Sequence, residues 1–155
     1  MFRLEKDFRF EAAHRLCHHN GKCARLHGHS FKGTLVCIGT DDDIHQEWGP
    51  HHGMLIDFDD MKVGCKTIED ALDHQYLNDV LQTESPTSEY IAKWVFDHVR
   101  ELLPSLYSVT IEETCSARCT YVGEPNDATQ HSAIREPNSR RHGHRGQRPI
   151  PDHTG

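Results

Sequence analysis

The opening segment of the chain alternates with period two. Phe2, Leu4, Phe8, Phe10 and Ala12 share one parity with His14, while Arg3, Glu5, Asp7, Arg9 and Glu11 hold the other. That is the pattern of a strand with one face on a core and the other in water. A second segment repeats it: His27, His29, Phe31, Leu35 and Cys37 fall on one parity, and Gly28, Ser30, Lys32 and Thr34 on the other. Two long half-buried strands commit the chain to a sheet covered on one face. The same parity places His14, His27 and His29 on the covered face, beside large apolar residues.

Three neutral imidazoles with a vacant fourth position form the arrangement a catalytic zinc uses, because the open position accepts water or substrate oxygens. Two other readings compete. Two or more of these histidines could be merely hydrogen-bonded core residues. Alternatively, Cys23, four residues before His27, could close a fourth position and make the site structural.

The chain has 155 residues, room for one domain with a sizeable core. Its formal net charge of −7 argues against a general nucleic-acid binder. An anionic substrate would have to be met by a local cluster of positive groups. The N-terminus lacks an apolar signal region and no stretch nears the length of a membrane span, so the expectation is a soluble protein with no membrane partner, cytoplasmic by default. The six cysteines show no CxxC pair and are expected to stay thiols, Cys37 and Cys65 as small core residues. Cys115 and Cys119 are expected to flank a turn containing Ala117 and Arg118, with no third ligand nearby.

After the two strands, Gly49-Pro50-His51-His52-Gly53 marks a loop. A helix is predicted from Phe58–Asp60 to about Leu72. A second is predicted to start at Ser85-Pro86, with Ile91, Trp94, Val95, His98, Val99 and Leu102 at helical spacing until Pro104. Strands over Leu106–Thr114 and Cys119–Val122 complete the order strand, strand, helix, helix, strand, strand. That order suits an α+β fold: an antiparallel four-stranded sheet with both helices on one face. In the third of these strands Val109, Ile111 and Glu113 share a parity, making Glu113 an unexpected inward carboxylate, costly unless paired or used. From Glu124 onward large apolar residues nearly vanish, so residues 1–123 are expected to form the catalytic domain and 124–155 a poorly ordered tail.

Several segments together are specific: Phe10-Glu11-Ala12-Ala13-His14-Arg15-Leu16, Lys22-Cys23-Ala24-Arg25-Leu26-His27-Gly28-His29-Ser30-Phe31, Leu72-Asp73-His74-Gln75-Tyr76-Leu77-Asn78-Asp79, Pro86-Thr87-Ser88-Glu89 and Glu113-Thr114-Cys115. In this combination the chain resembles the 6-pyruvoyltetrahydropterin synthase family. The cysteine four residues before His-Gly-His makes it most similar to the bacterial 6-carboxy-5,6,7,8-tetrahydropterin synthases. The resemblance implies a tunnelling fold, subunits joined by their sheets into rings, two rings stacked as a homo-hexamer, and active sites at subunit interfaces. It implies zinc (Zn2+) on His14, His27 and His29, a catalytic cysteine at Cys23, an acid/base histidine at His74 with Asp73 beside it, and pterin recognition by Glu113. Adjacent helical residues do not face each other, so Asp73 reaches His74 only if the chain leaves helical geometry there.

The implied reaction converts 7,8-dihydroneopterin triphosphate into 6-carboxy-5,6,7,8-tetrahydropterin, releasing acetaldehyde and triphosphate, toward queuosine or another deazaguanine. Lys22, Arg25 and Arg15 are the cations to consider for the triphosphate. Two rival readings remain at this point: the 6-pyruvoyl enzyme, which only eliminates triphosphate, and a zinc- and pterin-binding module without turnover.

Overall fold

The computed structural model describes residues 1–123; the expected tail, 124–155, lies outside them. Two thirteen-residue strands, β1 (Phe2–His14) and β2 (His27–Gly39), pair antiparallel along their whole length, from Phe2 opposite Gly39 to His14 opposite His27. Helix α1 (Phe58–Leu72) follows, capped by the Asp57 carboxylate on the Asp59 N–H. Next come a two-residue strand β3 (Gln75–Tyr76), one helical turn α2 (Leu77–Val80) and helix α3 (Ser88–Val99), then the hairpin β4 (Leu106–Thr114) and β5 (Ala117–Val122).

The sheet runs β3-β1-β2-β4-β5. Four of its strands are antiparallel, as the alternation predicts, but the sheet is mixed, because β3 adds a fifth strand parallel to β1 at Ala12 and Ala13. Two residues are too few to show a period, so β3 has no signature of its own. Helix α3 starts three residues after Ser85, since the Thr87 side chain, not Ser85, accepts from the Tyr90 N–H and caps it. Strand β5 begins at Ala117 rather than Cys119; the Thr114 hydroxyl accepts from the Ser116 and Ala117 N–H groups and tightens the turn to Cys115-Ser116.

The core lies between the sheet and the helices. Phe8, Phe10, Phe31, Leu35 and Cys37 from β1 and β2 pack with Met61, Cys65, Ile68 and Leu72 of α1 and Ile91, Val95 and Val99 of α3. Phe2 shares the inward parity but is 42% exposed: it opens the strand and lines a cleft with Leu4, Met54 and Phe58, the first residue of α1. Trp94 packs at the core margin, stacked on exposed His98, and Leu102 lies past the helix end, half exposed. Phe8 lies across Gly33, its partner in the register; a Cβ there would come within 2.0 Å of the ring. Among the described residues no helix is long and apolar enough to cross a membrane.

Candidate metal centre and active site

The β1–β2 ladder ends at the pair His14–His27, and His29 stands opposite Ala12. The last residue of one strand and the first and third of the next therefore converge at one corner of the core. The three rings lie 4.6, 5.2 and 5.0 Å apart between centroids, and one nitrogen from each falls within 4.8 Å of the others.

The second nitrogens fix the tautomers. A carbonyl only accepts, so His14 Nδ1 donates to the Pro86 carbonyl (2.9 Å) and His27 Nδ1 donates to the Arg25 carbonyl (2.7 Å). Each Nε2 is left with a lone pair, the state in which imidazole ligates a metal. His14 is 1% exposed, and its Nε2 is a buried polar atom without a hydrogen-bond partner. Such an atom loses its hydration on folding without replacement, a cost of ~1–3 kcal/mol that a cation between the rings would offset. Burial pushes the His14 pKa down, assisted by neighbouring His27 and His29 and opposed by the Pro86 carbonyl and the charge of Glu113. The three residues thus fit a borderline metal such as zinc, with three nitrogen ligands.

Glu113 is near enough for its charge to act on His14. It is half-buried and sits where the β4–β5 register slips between Glu112 and Thr114. It is the extra residue of a β-bulge, a device that re-aims a side chain.

Asp73 caps the C-terminus of α1 with extended backbone (φ −67°, ψ 133°), and His74 follows at φ 55°. The chain therefore does leave helical geometry here, and His74 Nδ1 donates to Asp73 Oδ2 (2.8 Å). Asp73 Oδ1 accepts from the Glu11 N–H (2.8 Å), while the His74 N–H donates to the Glu11 carbonyl (2.6 Å). The Glu11 N–H, and after it His74, hold the Asp73 carboxyl below its ordinary pKa. Positive φ is uncommon for a residue other than glycine, and here the two bonds to β1 hold it. His74 shares with His29, Glu11, Gly28 and Ser30 a cleft of about 540 Å³.

Cys23 lies half-buried on a single 3-10 turn, Lys22–Ala24, between β1 and β2. Its carbonyl accepts from the Leu16 N–H (2.8 Å). Lys22 and Arg25 flank it, exposed, and Arg15 stands beside Cys17 and then Tyr76, which raise its pKa. The structure thus brings together the three histidines, with Glu113 near enough for its charge to act on His14, pairs Asp73 with His74, and places Cys23, Lys22 and Arg25 on the connecting turn. The contribution of Pro86 through its carbonyl could not be read from a side chain; only its place in the quoted Pro86-Thr87-Ser88-Glu89 segment hinted at it.

A family model, 6-pyruvoyl tetrahydropterin synthase, matches residues 3–124. The chain belongs to this family. It is 46% identical over 123 residues to the 6-carboxy-5,6,7,8-tetrahydropterin synthase of Synechocystis, covering 78% of this chain and 93% of that protein. The Haemophilus influenzae protein of the same name is 33% identical, covering 78% and 99%. Among solved structures, the 6-pyruvoyl tetrahydropterin synthase of Caenorhabditis elegans superposes with a TM-score of 0.65 at 30% identity, covering 79% of this chain and 96% of that one. The fold is the tunnelling fold of these neighbours, and the chain is an enzyme of the pterin-synthase kind.

Proposed function

We propose that the chain is a zinc-dependent 6-carboxytetrahydropterin synthase. It converts 7,8-dihydroneopterin triphosphate and water to 6-carboxy-5,6,7,8-tetrahydropterin, acetaldehyde and triphosphate, a step toward queuosine or another deazaguanine. The observation that carries this reading is the buried, unpartnered Nε2 of His14 in a triad of imidazoles beside Glu113. The relatives named for that product support the choice of reaction.

His14, His27 and His29 would hold the metal. What bound zinc supplies there is polarisation of the substrate's side-chain oxygens and stabilisation of enolate-like charge. Glu113 accepts two hydrogen bonds from the amino group and ring N–H of the pterin, a planar match to a carboxylate. Cys23 as thiolate takes a proton from the substrate side chain. His74, its ring turned by the bond from Nδ1 to Asp73, moves a proton at Nε2. Lys22 and Arg25, with Arg15, meet the triphosphate. The working form is a homo-oligomer, a hexamer by family, in the cytoplasm.

The test is mass-spectrometric product analysis of zinc-loaded protein incubated with the triphosphate, with acetaldehyde trapped in the same tube. Carboxytetrahydropterin with acetaldehyde in equal amount is the expected result. A pyruvoyl product without acetaldehyde would move the chain to the activity named for the Caenorhabditis elegans structure. Unchanged substrate with zinc bound would leave a binding module.

A further inference from the structure

The parallel ladder between β1 and β3 pairs Ala12 with Gln75 and Ala13 with Tyr76. Continued in the same register, it would bring Arg15 to Asn78. It cannot continue through the backbone, because α2 starts at Leu77 and its N–H and C=O groups turn along the helix. The antiparallel ladder with β2 ends one residue before Arg15, at His14–His27. The backbone of Arg15 would thus lose both strand partners immediately after a metal-ligand position.

The side chain of Asn78 takes their place. Asn78 Oδ1 accepts from the Arg15 N–H (3.0 Å) and Asn78 Nδ2 donates to the Arg15 carbonyl (2.9 Å). A carboxamide presents one acceptor and two donors, the groups a peptide presents in a ladder. Two further contacts tie the same stretch to the segment before α3: the Cys17 N–H donates to the Glu84 carbonyl (3.0 Å), and His14 Nδ1 donates to the Pro86 carbonyl (2.9 Å).

We infer that Asn78 is a positioning residue, whose side-chain amide extends the β3 ladder onto Arg15 and thereby holds His14 in metal-binding register with His27 and His29. This rests on the metal reading of the three histidines.

The test is cobalt titration of the metal-free full chain, read by d–d absorption and by competition with a chelator, in the wild type, Asn78→Ala and Asn78→Asp. Asn78→Asp keeps the volume and the acceptor but sets an oxygen against the Arg15 carbonyl. Both variants are expected to bind cobalt about 10- to 100-fold more weakly, as when a group supporting a ligand is removed, with an altered absorption band. Thr110→Val, which removes the Thr110–Thr120 hydroxyl bond elsewhere on the sheet, is the control for loss of stability alone. Its cobalt affinity and spectrum are expected to match the wild type. Wild-type affinity and an unchanged band in Asn78→Asp would overturn the inference while leaving the metal reading intact. A wild type that takes up no cobalt would overturn the metal reading, and the inference with it.

Discussion

At the residue scale the site turns on which atoms lack partners. His14 Nε2 is buried and unpaired, whereas Nδ1 is held by Pro86, so His14→Ala removes a ligand nitrogen together with the bond to Pro86 and a fully buried ring. Zinc affinity is expected to fall by more than about 100-fold, beyond what loss of a supporting residue costs. Excess zinc should raise the wild-type Tm by several degrees, as binding at ~100 times Kd adds about 2.7 kcal/mol, and leave the variant unmoved; calorimetry with and without zinc reads both. Cys23→Ala separates catalytic from structural zinc: turnover should vanish while zinc content by atomic absorption stays near wild type, and loss of zinc would make Cys23 a ligand. Elsewhere, burial and then the charge of Glu69 push the Cys65 thiol up to about 11. The unfolded thiol ionises near ~8.5, so from there to about 11 the unfolded chain sheds a proton that the folded chain keeps, and stability falls as pH rises. Urea midpoints at pH 7 and pH 10 should show the advantage of wild type over Cys65→Ala shrinking at the higher pH; a constant difference would reject this assignment. Glu113 proves half-buried at a slip of the register, through which parity does not carry; the histidine trio was legible because parity alone sorts a strand's faces. The Glu113 bulge was not, because one extra residue in a ladder is a property of the partner strand.

At the element scale, the two long strands and helix α1 follow from pattern and caps, but β3 and α2 do not. Both exist because β1 presents a bare edge at Ala12 and Ala13, a tertiary cause that no local propensity carries. The same edge bends the chain into positive φ at His74, which turns two sequence neighbours into a hydrogen-bonded pair. His74→Asn is therefore the informative substitution. Asparagine tolerates left-handed backbone, so the fold and Tm should stay near wild type while turnover falls by about 100-fold or more, the usual contribution of a general acid/base. Full activity in that variant would remove His74 from the chemistry. Strand pairing has its own sensitive point at Gly33, beneath a Phe8 ring that is 2% exposed and stacked on Phe10. Gly33→Ala forces the ring into a filled core and should cost about 1–3 kcal/mol, a Tm loss of roughly 3–10 °C. Wild-type Tm by thermal denaturation would show that the ring finds another place.

At the scale of the whole molecule, the sheet has two open edges among the described residues. Among the described residues, β3 covers the side of β1 away from β2 only at Ala12 and Ala13, leaving that side of the N-terminal part of β1 without a strand, and β5 pairs only with β4. Open edges invite pairing with another chain. Here they are complementary: β1 and β5 run in opposite directions across the sheet order β1-β2-β4-β5, each neighbour antiparallel to the last. A second copy that sets its β1 against β5 therefore continues the antiparallel sheet head to tail. Repetition of one such contact closes a ring if the rotation allows it, in agreement with the ring the family resemblance implies. Phe2 and Val122, 42% and 50% exposed, lie at the same end of these two edges, where the contact would cover them. Light scattering on the full chain should return a multiple of 17.8 kDa, six if the proposed hexamer forms, and Val122→Asp should shift it toward smaller species because a charge would be buried in the joint. The polar outer face of the sheet, with Lys32 ion-paired to Asp7 at 3.1 Å and Glu112 at 3.8 Å, would then line the inside of the ring. A wild-type mass of one chain at micromolar concentration would mean that the edges stay open, and that any site shared between subunits must be complete within a single chain.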